Sequence, residues 1–262
     1  MAEITATMVK TLREETGLGM MECKKALQDT QGDMQAAKDL LRTKGLATAE
    51  KKAGRTTKEG LVSIQSDGGS ATMVEVLCET DFCARNDEFR AMVSQVTHLA
   101  AKQPAGEIAA DDAIKQAVQS ALAKIGENMS YSRGRKIVAP RIGAYLHHNN
   151  KVGVIVGVEG DVSDETLSEL CMHIAFADPV GITTKDIPAE MVEKEKQIAK
   201  QQAIESGKPA EIAEKMVVGK INKYLAANAL LEQPFVKDDK KKVKDILGGA
   251  KVLAFARFAI GG

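Results

Sequence analysis

The residues best suited to nucleophilic or metal chemistry are four cysteines and four histidines, and their spacing argues against most enzymatic uses. Cys78 and Cys83 are five positions apart, which is poor spacing for a zinc site. Cys23 and Cys171 fall on apolar faces of predicted helices, where a thiol packs as a small hydrophobic residue. Cys83 differs because it lies in a polar loop, so it is the one candidate nucleophile.

A thiol nucleophile needs a nearby base, and His98 and His173 are the candidates for Cys83. Both fall on the inner stripe of predicted helices, which favours a packed structural role. No Gly-x-x-x-x-Gly-Lys-Ser/Thr phosphate loop and no Gly-x-Gly-x-x-Gly fingerprint after a strand are present. The sequence therefore predicts no active-site chemistry, no cofactor and no metal, and a thiol enzyme built on Cys83 stays an alternative.

Composition excludes other classes of function. The 262 residues carry 36 basic and 36 acidic side chains, and this balance argues against coating nucleic acid. Three Tyr, six Phe and no Trp provide little surface for stacking bases. The longest apolar run, 152–158, is far shorter than the roughly 20 residues of a membrane span. Few cysteines and no visible targeting segment favour a reduced, cytoplasmic protein with no membrane partner.

The N-terminal residues, 1–46, read as a module of three short helices. Gly17 ends the first helix, Asp33 is a plausible N-cap for the third, and the third is expected to end before Gly45. A unit this small has a thin core, so we expect it to bind a partner or to lean on a larger domain.

A basic linker over 47–59 follows the module. From Arg42 to Lys58 the chain holds six basic residues against one acidic residue. Two interpretations stay open, a solvated connector that is partly helical or a contact surface for an acidic partner.

From residue 60 the apolar period becomes strand-like, and the core is predicted to contain two related subdomains, 60–140 and 141–184 with 226–262. Each begins with a β-hairpin followed by a helix. Val74–Val76 matches Val154–Val156 at an offset of 80, but His98 matches His173 at an offset of 75. The first copy thus holds about five extra residues between strand and helix. We expect this enlarged loop to carry function.

The second subdomain is interrupted by a predicted antiparallel helical hairpin over 185–225. Its helices are expected at Ala189–Ser206 and Ala210–Leu225, with a break at Gly207–Pro209. A narrow apolar stripe on both helices suits a projecting coiled-coil arm. The fold class is α+β: a three-helix module, two antiparallel hairpin-and-helix subdomains and an inserted helical hairpin.

Two motifs carry a family resemblance. The segments Leu12–Leu27 and Cys78–Asn86 resemble the two signatures of bacterial elongation factor Ts, the nucleotide exchange factor for elongation factor Tu. Further similar segments follow in family order at 124–128, 173–175, 206–216 and 233–236. The resemblance implies an N-terminal module like ubiquitin-associated domains, the two-subdomain core and the inserted hairpin.

The resemblance also implies a functional loop formed by Thr80, Asp81, Phe82 and Cys83, which intrudes near the Mg²⁺ site of elongation factor Tu and dislodges the ion. An aromatic residue at a loop tip is suited to act as a wedge between partner helices. The residues leave two alternatives, that Phe82 folds back into the core and that Asp81 caps the next helix. Cys83 stands where relatives often have Val, which fits an apolar rim around Phe82.

Other partner contacts are implied by the resemblance alone. They are Met21, Lys24, Lys52, Ile125, Gly126, His147 and Val236. Core packing is the alternative for Met21 and Ile125, and an exposed turn residue is the alternative for His147. The expected function is GDP release from elongation factor Tu, bound both with GDP and without nucleotide. The alternative is a cytosolic adaptor that binds through its three-helix module, and formation of a homodimer is left open.

Overall fold

The computed structural model describes residues 4–52, 54–205, 207 and 209–261. It confirms the predicted mixture of helices and antiparallel sheet. The chain divides into two compact units. One holds Met1–Gln65, Thr72–Lys136 and Ala259–Gly262, and the other holds Ser66–Ala71 and Ile137–Phe258.

The N-terminal module contains three helices, α1 (Ala6–Thr16), α2 (Met20–Asp29) and α3 (Met34–Lys52). Thr5 begins α1 by accepting the N–H of Met8, and Gly17 ends it in the left-handed conformation at φ 68°. The Asp33 side chain accepts the N–H of Ala36 at 2.9 Å, as predicted for an N-cap. The three helices share a small apolar core of Val9, Leu12, Cys23, Ala26, Leu27, Ala37 and Leu41.

The prediction that the third helix ends before Gly45 was wrong, since α3 continues to Lys52. A glycine inside a helix costs about 1 kcal/mol relative to alanine, so another interaction must favour the extension. Gly45 faces Ala123, and an added Cβ would lie 3.4 Å from the Ala123 methyl group. Packing against this neighbouring helix carries α3 into the predicted linker.

The first core subdomain packs helices against a four-stranded sheet whose strand order is β1-β2-β4-β3. Its elements are β1 (Glu59–Ser66), β2 (Ser70–Cys78), α4 (Asp81–Arg85), α5 (Asp87–Ala100), β3 (Gly106–Glu107), α6 (Asp112–Ile125) and β4 (Met129–Val138). The predicted turn between β1 and β2 is present, and Asp67 closes it by accepting the N–H of Ser70 at 2.8 Å. Apolar residues of β2, α5 and α6 form one buried cluster.

Strand β4 was missed because it reads as a polar segment, with Arg133, Arg135 and Lys136 in four positions. The structure explains part of this charge. Glu75, buried on β2, accepts two hydrogen bonds from the Arg133 guanidinium, at 2.7 and 3.1 Å. A buried carboxylate needs such a partner, so the arginine belongs to the sheet.

The second core subdomain contains a three-stranded sheet whose strand order is β5-β6-β9. Its elements outside the inserted hairpin are β5 (Arg141–Leu146), β6 (Val152–Glu159), α7 (Asp164–Ala177), a 3-10 turn (Leu230–Glu232), β7 (Pro234–Phe235), β8 (Asp238–Lys242), α10 (Val243–Ile246) and β9 (Lys251–Ala259). Strands β5 and β6 are antiparallel, with Tyr145 opposite Val154. A second buried cluster joins β6, α7 and the C-terminal elements.

The inserted helices are α8 (Ala189–Glu205) and α9 (Ala210–Asn228), so the second helix runs three residues past the predicted end at Leu225. Residue 206, the predicted end of the first helix, and residue 208 of the predicted break lie outside the described residues. Backbone hydrogen bonds join the chain before and after the insertion, from Val180 to Asn228 at 2.9 Å and from Leu230 to Gly181 at 2.8 Å. The insertion therefore leaves and re-enters the subdomain at one place.

Lysines near the C-terminus are paired within the fold, and one sequence expectation about burial needs correction. The basic run 237–244 forms part of strand β8 and helix α10, and both Lys242 and Lys244 pair with Glu232. Hydrogen bonds from these lysines hold the pKa of Glu232 below its usual value. His98 is exposed on α5, so the prediction of an inner position was wrong for His98. No helix within the described ranges is long and apolar enough to cross a membrane.

Candidate functional site

The predicted functional loop contains a single helical turn, α4, with a capping residue at each end. Thr80 caps α4, its Oγ1 accepting the N–H of Cys83 at 3.1 Å. Asn86 ends α4 and also caps α5, its side chain accepting the N–H groups of Glu88 and Phe89 at 2.8 and 3.4 Å. Two caps six residues apart fix this segment as a defined turn, which we call the tip (Thr80–Asn86).

Phe82 is the most prominent side chain of the tip, because 79% of it is exposed. Its neighbours Cys83 and Ala84 are buried in the core cluster of the first subdomain. The one-turn helix therefore directs Phe82 to solvent and the next two side chains inward. The alternative that Phe82 folds back into the core was wrong, and Phe89 occupies that buried position instead.

Asp81 lies beside Phe82 and is partly exposed. Its carboxylate pairs with Arg85 one turn later, with Nη2 and Oδ2 3.0 Å apart. The alternative that Asp81 is the helix cap was wrong, because Thr80 has that role. Asp81 thus places a negative charge next to an exposed aromatic ring.

Cys83 lies in the core, so its predicted position in a polar loop was wrong. Its hydrogen-bonding neighbour is Cys78, whose Sγ also donates to the Thr80 carbonyl at 3.2 Å. The hydrogen bond with Cys83, together with burial, raises the pKa of the Cys78 thiol well above its usual range. The hydrogen bond with Cys78 lowers the pKa of the Cys83 thiol, and burial and the carboxylates of Glu127 and Glu79 oppose that shift. Because the Cys83 side chain is buried in the core cluster, where a substrate has little access to it, its position gives no support to a thiol enzyme.

The carboxylates of Glu127 and Glu79 form hydrogen bonds at the start of the tip, and neither role was predicted from the sequence. Glu127 accepts hydrogen bonds from the N–H of Thr80 at 3.2 Å and from its hydroxyl at 2.9 Å. Glu79 accepts the N–H of Asn128 at 2.6 Å and pairs with Arg55 at 3.5 Å. Glu127 and Asn128 belong to the resembling segment 124–128, but only a tertiary contact gives them this role.

The same network includes three of the predicted contact residues. Gly126 ends α6 in the left-handed conformation at φ 82°, and its carbonyl accepts a hydrogen bond from Lys52. Ile125 is partly buried against the core cluster. The Asn128 side chain donates to the Arg55 carbonyl at 2.8 Å. The structure therefore brings the end of α3, the end of α6 and the tip into one hydrogen-bonded region.

Met21 and Lys24 lie on α2, where both side chains are exposed. Met21 is 73% exposed and the adjacent Met20 is 56% exposed, so the core-packing alternative for Met21 was wrong. Adjacent exposed methionines form an adaptable apolar surface on the module.

His147 and Val236 belong to the second unit. His147 closes the hairpin between β5 and β6: its N–H donates to the Val152 carbonyl at 2.9 Å, and its Nδ1 lies 2.7 Å from the Tyr145 hydroxyl. The His147 ring is only partly exposed. Val236 is 46% exposed and follows the buried Phe235.

His173 is buried, which confirms the packed structural role predicted for it, and it fixes the backbone at Val236. The Val236 N–H donates to His173 Nδ1 at 3.2 Å, so the proton of the neutral ring lies on Nε2 and faces the side-chain Oε1 of Gln233 at 2.9 Å. Burial lowers the pKa of His173. The ring therefore acts as a neutral structural link between α7 and β7.

These features define a class of protein: a two-subdomain α+β protein with a three-helix module, whose exposed apolar side chains lie on fixed elements suited to binding a partner. No group of acidic, Cys and His side chains among the described residues could hold a metal ion.

Comparison with known proteins identifies the family. A family model described as elongation factor TS matches residues 79–262. Curated relatives named elongation factor Ts include those of Thioalkalivibrio sulfidiphilus, 45% identical over 98% of this chain and 92% of the relative, and Saccharophagus degradans, 46% identical over 98% and 91%. The relative from Hahella chejuensis is 43% identical over 100% and 93%. The chain belongs to the elongation factor Ts family of translation elongation factors.

Proposed function

We propose that this protein binds elongation factor Tu, both with GDP and without nucleotide, and promotes the release of GDP and its exchange for GTP. The observation that carries the proposal is the exposure of Phe82 on a capped turn, in a member of the elongation factor Ts family. An exposed aromatic side chain is costly to keep in water and is typical of a binding hot spot.

The exchange needs differential affinity and no active-site chemistry of its own. A protein that binds the nucleotide-free partner more tightly than the GDP-bound partner weakens GDP binding by the same factor. GDP binding to such a partner relies on phosphate contacts and on Mg²⁺. A residue that occupies space or alters charge near that ion therefore favours release.

The four residues of the functional loop divide this task. Phe82 inserts as the apolar wedge, and Asp81 brings a negative charge toward the Mg²⁺ site of the partner, where the ion is displaced. Thr80 and Cys83 support the turn without contacting the partner, since Thr80 caps the turn and Cys83 packs in the core. The division follows from which side chains are exposed and which are buried.

The remaining contacts supply affinity. We assign Met21 and Lys24 to docking of the module on the partner, and Val236 to a contact from the second subdomain, since their side chains are exposed. Lys52, Ile125 and Gly126 support a contact surface beside the tip. His147 joins this set on the family resemblance alone. The protein acts in the cytoplasm without a cofactor, and with no direct contact to nucleic acid or membrane.

The test is release of a fluorescent GDP analogue from purified elongation factor Tu after addition of excess unlabelled GDP. We expect the release rate to rise with the concentration of this protein and then to saturate, as for a partner that forms a complex before GDP leaves. Bovine serum albumin at equal concentration is the control. Binding to elongation factor Tu with no change in release rate would contradict the proposal and favour the adaptor alternative. Sedimentation of the purified protein in the same buffer decides whether it forms a homodimer.

A further inference from the structure

The carboxylate of Glu127 lies under the tip, where it accepts hydrogen bonds from Thr80 and lies close to the Cys83 thiol. One carboxylate oxygen is 2.9 Å from Thr80 Oγ1, and the other is 3.1 Å from Oγ1 and 3.2 Å from the Thr80 backbone nitrogen. An ionised carboxylate only accepts hydrogen bonds, so both Thr80 groups must donate to it. Glu127 therefore determines where the hydroxyl hydrogen of Thr80 points.

The direction of that hydrogen decides whether Thr80 can cap α4. The same Oγ1 accepts the N–H of Cys83 at 3.1 Å, which requires a free lone pair on that side. When the Thr80 hydroxyl donates its hydrogen to Glu127, a lone pair on Oγ1 is free to accept the N–H of Cys83. A helix of one turn has little intrinsic stability, so it depends on its cap. The exposed position of Phe82 depends in turn on that helix.

The contact with Glu127 is part of a reciprocal connection between two chain segments. Glu127 accepts the backbone N–H of Thr80, and Glu79 accepts the backbone N–H of Asn128. Residues 127–128 follow the left-handed Gly126, and residues 79–80 precede α4. Each segment therefore contributes one carboxylate that accepts a hydrogen bond and one backbone N–H that donates one. This arrangement fixes the start of α4 relative to the end of α6.

We infer that Glu127 is a positioning residue for nucleotide release, which acts through Thr80 to hold Phe82 in its exposed orientation. This inference rests on the proposed function for its activity readout. Its structural half, the dependence of α4 on Glu127, is independent of any partner. Glu127 itself needs no contact with elongation factor Tu.

The first experiment compares Glu127→Ala with wild type in the GDP-release assay across concentrations. Because the tip acts during release while other surfaces supply affinity, we expect the maximal rate to fall about tenfold, with the half-saturating concentration changed far less. Glu127→Gln keeps one acceptor oxygen for Thr80 and should recover part of the rate. Glu88→Ala removes an exposed carboxylate of α5 that does not touch the tip, and it should leave the rate unchanged.

A double-mutant cycle tests whether Glu127 acts through the Thr80 hydroxyl. Thr80→Val removes the hydroxyl at nearly constant shape, and Thr80→Ser retains it. We expect Thr80→Val to reduce the maximal rate, Thr80→Ser to preserve it, and Glu127→Ala combined with Thr80→Val to be no worse than the more damaging single change. Multiplicative losses in the double variant would contradict the inference.

Hydrogen–deuterium exchange of the free protein separates this inference from the proposed function. The amides of Cys83 and Ala84 both donate to Thr80, and we expect their exchange to accelerate about tenfold or more in Glu127→Ala while amides of α5 stay protected. If wild type fails to release GDP but these amides respond, the proposed function fails and the positioning role stands. Unchanged exchange at Cys83 and Ala84, or faster exchange throughout α5, would overturn the positioning role.

Discussion

The two hairpin-and-helix copies of the core share one scaffold but differ in what joins strand to helix. In the first copy, β2 ends at Cys78 and α5 begins at Asp87; in the second copy, β6 ends at Glu159 and α7 begins at Asp164. Both helices are 14 residues long. The first connection holds α4 and the exposed Phe82, whereas the second is a short link ending at a helix cap. The scaffold is constant, and the first copy differs by the added turn.

A glycine in the first strand of each copy shows how far the scaffold is shared. A Cβ on Gly60 would lie 2.2 Å from the Val76 carbonyl oxygen, and Gly60 has φ 153°. A Cβ on Gly143 would lie 2.8 Å from a methyl group of Val156. Val76 and Val156 are the pair related by the offset of 80. In both copies a glycine of the first strand thus lies close to the second strand, but Gly60 approaches its backbone and Gly143 approaches a side chain.

Two phenylalanines seven positions apart should differ most in what they contribute to stability. Phe89 belongs to the shared scaffold and is fully buried, whereas Phe82 belongs to the added turn. We expect Phe89→Ala to lower the free energy of unfolding by about 3–5 kcal/mol, because it leaves a large cavity. Phe82→Ala should change it by about 0.5 kcal/mol or less. Urea unfolding followed by circular dichroism measures both, and equal losses would show that Phe82 also serves the scaffold.

A smaller effect concerns the histidines at matching positions of the two helices. Burial lowers the pKa of His173 below 6.5, so the unfolded chain binds a proton more readily than the folded protein. The stability from neutral His173 is present above pH 6.5 and is lost as pH falls through the lowered pKa. His173→Gln should flatten the change in urea midpoint between pH 7.5 and pH 5.5.

The exposed His98 provides the matched control for that measurement. We expect His98→Gln to leave the pH dependence of the urea midpoint as in wild type. If the two variants change the pH dependence of the urea midpoint equally, the burial of His173 is not the cause of that dependence.

Periodicity predicted most of the fold, since apolar alternation or helical spacing marked the module, both hairpins, α5, α7 and the inserted helices. Periodicity did not predict the elements that are stabilised by contacts between residues distant in sequence. Strand β4 carries charges that pair across the sheet, as Arg133 does with Glu75, and α3 extends through Gly45 because another helix packs there. Local signals could not reveal either interaction.

The candidate site was predictable in part for the same reason. The motif Cys78–Asn86 drew attention to Phe82, but only the fold shows that Phe82 is exposed and Cys83 is buried. The roles of Glu127 and Glu79 depend on hydrogen bonds between residues 47 and 49 positions apart. A single sequence contains no signal for such a pairing.

We propose that the added turn of the first copy promotes nucleotide release through Phe82. The most direct measurement is the maximal rate of GDP release from elongation factor Tu with Phe82→Ala, compared with Phe176→Ala. Phe176 lies on α7 of the second copy and is also 79% exposed, so the two changes remove equal side chains of equal exposure. We predict that Phe82→Ala lowers the maximal rate at least about tenfold and that Phe176→Ala leaves it unchanged. Equal rates for the two variants at saturation would show that Phe82 has no special part in nucleotide release.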